Sequence, residues 1–220
     1  MQESLAISRP LNDETCQAHA LDTLGDVAQH FGDFLKAKAY YAESLALFRR
    51  IGDPRSIGLS LATAGRLHVN YGYCQEAEPL LMEGLSLLDQ VSDVRGRAYC
   101  LNALGRVAIL KGDVKLAALR FRQALRLNAE LGWLVDLSED LHELAVVEAM
   151  VGDQSRATLI LAASAALMKK IGYHPPADDL IDRPAPAGWL QTAPFSEEWA
   201  KGERMSMDQA VALALECEAE

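Results

Sequence analysis

Residues 101–132 read LNALGRVAILKGDVKLAALRFRQALRLNAELG, and this stretch contains two helices and the turn that joins them. Leu101, Leu104 and Ala108 recur at helical spacing in its first half, and Leu116, Leu119 and Leu127 do so in its second. The turn between them has its own chemistry. Gly112 suits the left-handed conformation that closes a helix, and the Asp113 carboxylate suits the free amides that open the next one.

Outward from this stretch the pattern returns every 40 residues. Gly32, Gly72, Gly112 and Gly152 keep that spacing, as do Gly25, Gly65 and Gly105, with Ala145 completing the set. The same register holds for Ala37, Ala77, Ala117 and Ala157, for Leu21, Leu61, Leu101 and Leu141, and for Tyr41, Leu81, Phe121 and Leu161. Four 40-residue repeats are therefore expected over residues 13–172, each a pair of antiparallel helices. Between repeats, Gly52, Asp53 and Pro54 read as a stop, a cap and a first-turn proline. Small residues in both helices allow two backbones to approach, and Tyr41 or Phe121 fills the space between neighbours. One helix pair cannot bury its apolar face alone, so the core arises by stacking, and the expected fold class is an all-α right-handed superhelical solenoid.

The Leu24-Gly25 and Leu104-Gly105 pairs are followed by Gly seven residues later, then Ala after five more and an aromatic or Leu after a further four. A small residue follows at Ser44, Gly84, Ala124 or Ser164. This order resembles the tetratricopeptide motif, lengthened by six residues over the 34-residue unit and without the proline that often closes it. The 40-residue form is similar to arrays in kinesin light chains and in the sensor regions of large bacterial ATPase-type transcription regulators. The resemblance covers residues 13–172 and implies a protein-interaction scaffold.

The repeat pattern also reaches the flanks. Glu3, Ser4, Leu5, Ala6 and Arg9 match Glu43, Ser44, Leu45, Ala46 and Arg49 at the same spacing, so residues 1–12 read as the second helix of a partial repeat. Residues 173–195 carry Pro175, Pro176, Pro184 and Pro186 and read as a linker. Two short helices are expected in 196–220, one over Ser196 to Gly202 and one from Met207 to about Cys217. Ser196 and Ser206 are their caps, and Trp199, Val211, Leu213 and Leu215 are the side chains they have to bury. Phe195, Trp199, Ala200, Gly202, Met205, Ser206 and Gln209 to Glu216 resemble the ending of the same bacterial regulators.

Composition narrows the function. A net charge of −10 argues against a nucleic-acid surface, which needs clustered Lys and Arg. Cys16, Cys74, Cys100 and Cys217 form no C-x-x-C pair, so neither a zinc site nor a disulfide framework is indicated, and a cytoplasmic setting is expected. The longest apolar run, Leu159 to Met168, falls short of the roughly 20 residues a bilayer requires. No phosphate-binding loop occurs, and His142-Glu143 opens like a zinc-protease helix but meets Val146 where the second His belongs. No catalytic residue, cofactor or metal site is expected.

What remains is the face of the first helices, which the tetratricopeptide resemblance makes the ligand side. Its candidate residues are Asp22, Asp26, Arg66, Tyr99, Asn102, Arg106 and His142, among first-helix positions that include His19, Gln29, Leu59, Ala62, Val69, Ile109, Glu139, Val146 and Ala149. Arg66 and Arg106 beside Tyr99 and Asn102 suit a carboxylate. The alternative is that Arg66 pairs with Asp22 or Asp26 while Arg106 is solvated. The expected function is a scaffold for a protein or peptide partner, as the sensor or assembly module of a bacterial signalling regulator. Binding of a small effector, or homo-oligomer formation through the partial repeat, are the alternatives.

Overall fold

The computed structural model describes residues 13–173 and 196–216. The partial repeat at 1–12, the linker over 174–195 and Cys217 lie outside the described residues. Those that are described form helices α1 (Glu14–His30), α2 (Phe34–Ile51), α3 (Pro54–Asn70), α4 (Cys74–Gln90), α5 (Val94–Leu110), α6 (Val114–Leu131), α7 (Leu134–Val151), α8 (Gln154–Ile171), α9 (Ser196–Gly202) and α10 (Met207–Leu215). The described residues are all-helical, built of paired antiparallel helices. The chain divides into two compact units, 1–111 and 112–220.

Aspartates start the helices for a local reason. Asp13, Asp33, Asp53, Asp93, Asp113 and Asp153 each accept a hydrogen bond from the backbone N–H three residues on, satisfying an amide that the helix itself leaves unpaired. Tyr73 and Trp133 stand at the same place before α4 and α7 and supply no such bond. At the far ends, Gly52, Gly132, Gly152 and Gly172 take the left-handed conformation. Ser92 holds that position after α4 with φ of 55°, the one non-glycine with positive φ among the described residues. A Cβ there works against the conformation.

In the first unit α1 packs on α2, α3 on α4, and each pair on the next helix in order. Tyr41 lies 1% exposed with Ala28, Ala37, Ala64 and Leu67, and Phe48 is equally buried with Ala18, Leu21 and Leu47. Burying one such side chain stabilises by about 1.5–3 kcal/mol, and truncating Leu67 to Ala would cost about 2–5 kcal/mol. The close approach falls at Gly25 and Gly65, where an added Cβ would lie 2.5 Å from Tyr41 Cε1 and 2.6 Å from Leu81 Cγ.

In the second unit α7 packs on α6 and α8 and is covered on most of its circumference, polar residues included. Asn128 Nδ2 donates to Asp140 Oδ2 at 2.6 Å, and Ser164 Oγ donates to the Ser138 carbonyl at 2.7 Å. Beyond Ile171, Tyr173 donates its phenol hydrogen to Glu139 Oε1 at 2.7 Å. The last two helices pack on α8, with α10 also reaching α6 and α7. Ser206 caps α10 with Gln209 in a reciprocal capping box. The fully buried residues here are Gly202, Ala210 and Ala214, whereas Trp199, Val211, Leu213 and Leu215 are half-buried; at Gly202 α9 approaches α8 too closely for any side chain.

Candidate ligand face

Helices α1, α3 and α5 carry six of the seven candidate residues, all in the first unit. His142 lies half-buried on α7 in the second. The repeat places Asp26, Arg66 and Arg106 at equivalent positions of successive first helices, so a single register produces a column of charged side chains.

Asp26 is exposed, but its Oδ1 accepts a hydrogen bond at 2.7 Å from the buried Tyr41 phenol, and Gln29 Oε1 lies 3.4 Å from the same hydroxyl. Burial, with the Asp26 charge beside it, holds that phenol far above the usual tyrosine range, so it acts only as a donor. The Arg66 guanidinium lies 4.8 Å from the centre of the Tyr99 ring, a cation–π arrangement that orients its plane. Arg106 Nη1 donates to Asn70 Oδ1 at 3.0 Å, so Arg106 is half-buried and oriented rather than simply solvated. Asn102 lies half-buried on α5, one turn before Arg106.

Asp22 is the unusual acid. It is half-buried with Oδ1 shut off from solvent and without a hydrogen bond. Burial pushes its carboxyl up to about 6, the Asp26 charge adds to this, and Ser44 and His19 act in the other direction. Cys100, in contrast, sits in the core with Ala62 and Leu88, and burial pushes its thiol up to about 12, which leaves it unreactive near neutrality.

Several first-helix positions expected on this face are covered. Ala62 and Val69 on α3 are 0% and 3% exposed, because the neighbouring first helix α5 packs against that side with Cys100, Leu104 and Val107. Val146 on α7 is 4% exposed. Two contributors escaped the sequence reading. Tyr41 reads as a packing residue, yet its hydroxyl orients Asp26. Asn70 orients Arg106, and the available signal was its place one turn after Arg66 on the same helix face.

Among the described residues no three His, Cys, Asp or Glu side chains gather as a metal site, and no helix is long and apolar enough to cross a membrane.

No curated protein matches the chain. Among solved structures it resembles the crystal structure of BtubC (BKLC) from P. vanneervenii, with a TM-score of 0.62 and 20% sequence identity over 74% of this chain and 68% of that one, a likeness of fold. The tetratricopeptide repeat family model matches residues 16–90, the span that forms α1 to α4.

Proposed function

We propose that the first-helix face of the first unit holds a peptide segment of a partner protein and takes one of its carboxylates on Arg66 and Arg106. The observation that carries this reading is the stacked Arg66–Tyr99 pair, half-buried and facing the Asp26–Tyr41 hydrogen bond, in a chain whose net charge is −10. Two oriented guanidinium groups have the geometry for bidentate recognition of a carboxylate. Asp22 and Asp26 suit basic or hydroxyl groups of the same peptide, and Asn102 suits its backbone. His142 is the contact proposed for the equivalent face of α7. The wider role, as sensor or assembly module of a bacterial signalling regulator, rests on the sequence resemblance of the array and of residues 195–216.

An array of immobilised peptides with acidic ends, each present as free acid and as amide, tests the reading. The intact chain is compared with an Arg66→Glu, Arg106→Glu variant and with a Lys115→Glu, Lys170→Glu variant of equal charge. Loss of a charge-assisted hydrogen bond predicts at least tenfold weaker capture of free-acid peptides by the arginine variant alone. Equal capture by all three chains, or no preference for the free acid, overturns the reading.

A further inference from the structure

The last two helices are held in an unusual way. Their fully buried residues are Gly202, Ala210 and Ala214, with Trp199, Val211, Leu213 and Leu215 half-buried. Polar contacts hold them as well. Arg122 Nε on α6 donates to the Ala214 carbonyl at 3.2 Å, and Arg156 Nη2 on α8 donates to the Leu213 and Glu216 carbonyls. These are the carbonyls a helix leaves unsatisfied at its end, where its dipole is negative. Glu216 adds a carboxylate 3.9 Å from Arg156 Nη1.

The two arginines also share a contact that does not involve α10. Glu148 on α7 accepts from Arg122 Nη2 at 3.0 Å and lies 3.4 Å from Arg156 Nε, with all three side chains no more than 17% exposed. The same two guanidinium groups reach the end of α10 through Arg122 Nε and Arg156 Nη2. Two positive charges against one negative leave a site of net positive charge, matched to a helix end followed by an acidic residue.

We propose that the α6–α8 surface is a preformed docking site for a short helix with a small-residue face and an acidic end, filled in cis by residues 196–216. The same site takes the equivalent segment of a second copy of the chain in trans. Every contact is available to either copy, so the own segment wins because covalent attachment raises its local concentration. Anything that frees it turns one molecule's site into a receptor for another's helix. This site is separate from the ligand face of the first unit and does not depend on it.

Two full-length variants test this by complementation. In Gly202→Val the added Cβ collides with the Leu159 carbonyl oxygen and lies 2.7 Å from Ala162 Cβ, so the segment is pushed off while Arg122, Glu148 and Arg156 stay intact. In Arg156→Glu the segment is intact but its receptor is broken. Mixed at tens of micromolar and followed by light scattering, the two are expected to form a complex of twice the 24.0 kDa chain mass, above the mass either shows alone. A labelled peptide of residues 196–216 should also bind Gly202→Val at least ten times more tightly than wild type, and a scrambled peptide should not. Ala214→Leu, which enlarges a fully buried residue of α10, repeats the test should Gly202→Val lose its helical circular dichroism. No added mass on mixing, no gain in peptide binding by either freed variant, or equal binding of the scrambled peptide overturns the proposal.

Discussion

Gly25→Ala isolates the close approach on which the first helix pair depends. Placing Ala in a helix interior gains about 0.5–1 kcal/mol over Gly by propensity alone. Against this, the new Cβ would sit 2.5, 2.7 and 2.9 Å from three atoms of the Tyr41 ring. That ring is 1% exposed and tied at its hydroxyl to Asp26, so it can neither rotate away nor slide outward. Overpacking of this kind costs about 1–3 kcal/mol, and the pinned ring places it toward the upper end. The expected net effect is a destabilisation of about 1–2 kcal/mol, read from urea unfolding by circular dichroism at 222 nm. Tyr41→Leu in the same background should recover much of it, since Ala145 and Leu161 hold the equivalent two positions of the fourth repeat and are both buried. A Gly25→Ala chain more stable than wild type would mean that propensity alone decides, and that α1 and α2 do not pack as closely as the geometry requires.

Other consequences are simpler to state. Ser92→Gly relieves a left-handed residue and should raise stability by about 0.5–1 kcal/mol, visible as a higher urea midpoint, whereas Ser92→Ala should not. Asp22 takes its proton near 6 when folded and near 3.9 when unfolded, so the folded state binds the proton more tightly. Its charge therefore destabilises above pH 6 and ceases to do so below about 4. Asp22→Asn should gain on wild type by on the order of 2 kcal/mol as pH rises from 4 to 7, and a difference independent of pH would contradict the assignment. Glu148→Gln leaves Arg122 and Arg156 without their shared anion in a half-closed site and should cost about 2–4 kcal/mol, with earlier hydrogen exchange in α10 than in α8. Unchanged exchange in α10 would separate the ion cluster from helix docking.

The helix pairs were legible because every signal for them is local or periodic. A capping aspartate binds an amide three residues away, a closing glycine adopts its own φ, and a 40-residue spacing repeats both, so Asp33, Gly52 and Asp113 announce their turns without reference to the rest of the chain. The same register puts Asp26, Arg66 and Arg106 at equivalent positions of successive first helices. It could not say which first-helix positions stay open. Ala62 and Val69 look like members of that face but are sealed by α5, a fact of packing between helices some 40 residues apart.

What this sequence determined by itself was the helix inventory, the caps and the places where only a small residue fits. Only the tertiary structure decided what the small residues are for. Ser44 Oγ donates to the Ala18 carbonyl and Ser164 Oγ to the Ser138 carbonyl, each 26 residues back, whereas a Cβ at Gly84 would lie 2.9 Å from the Gly58 carbonyl at that same separation. It likewise decided that Arg122, Glu148 and Arg156 meet at the end of α10, since three side chains on three helices share no spacing that a linear pattern can reveal. Periodicity records which residues are equivalent, while charge pairing depends on distances that exist only once the helices have packed.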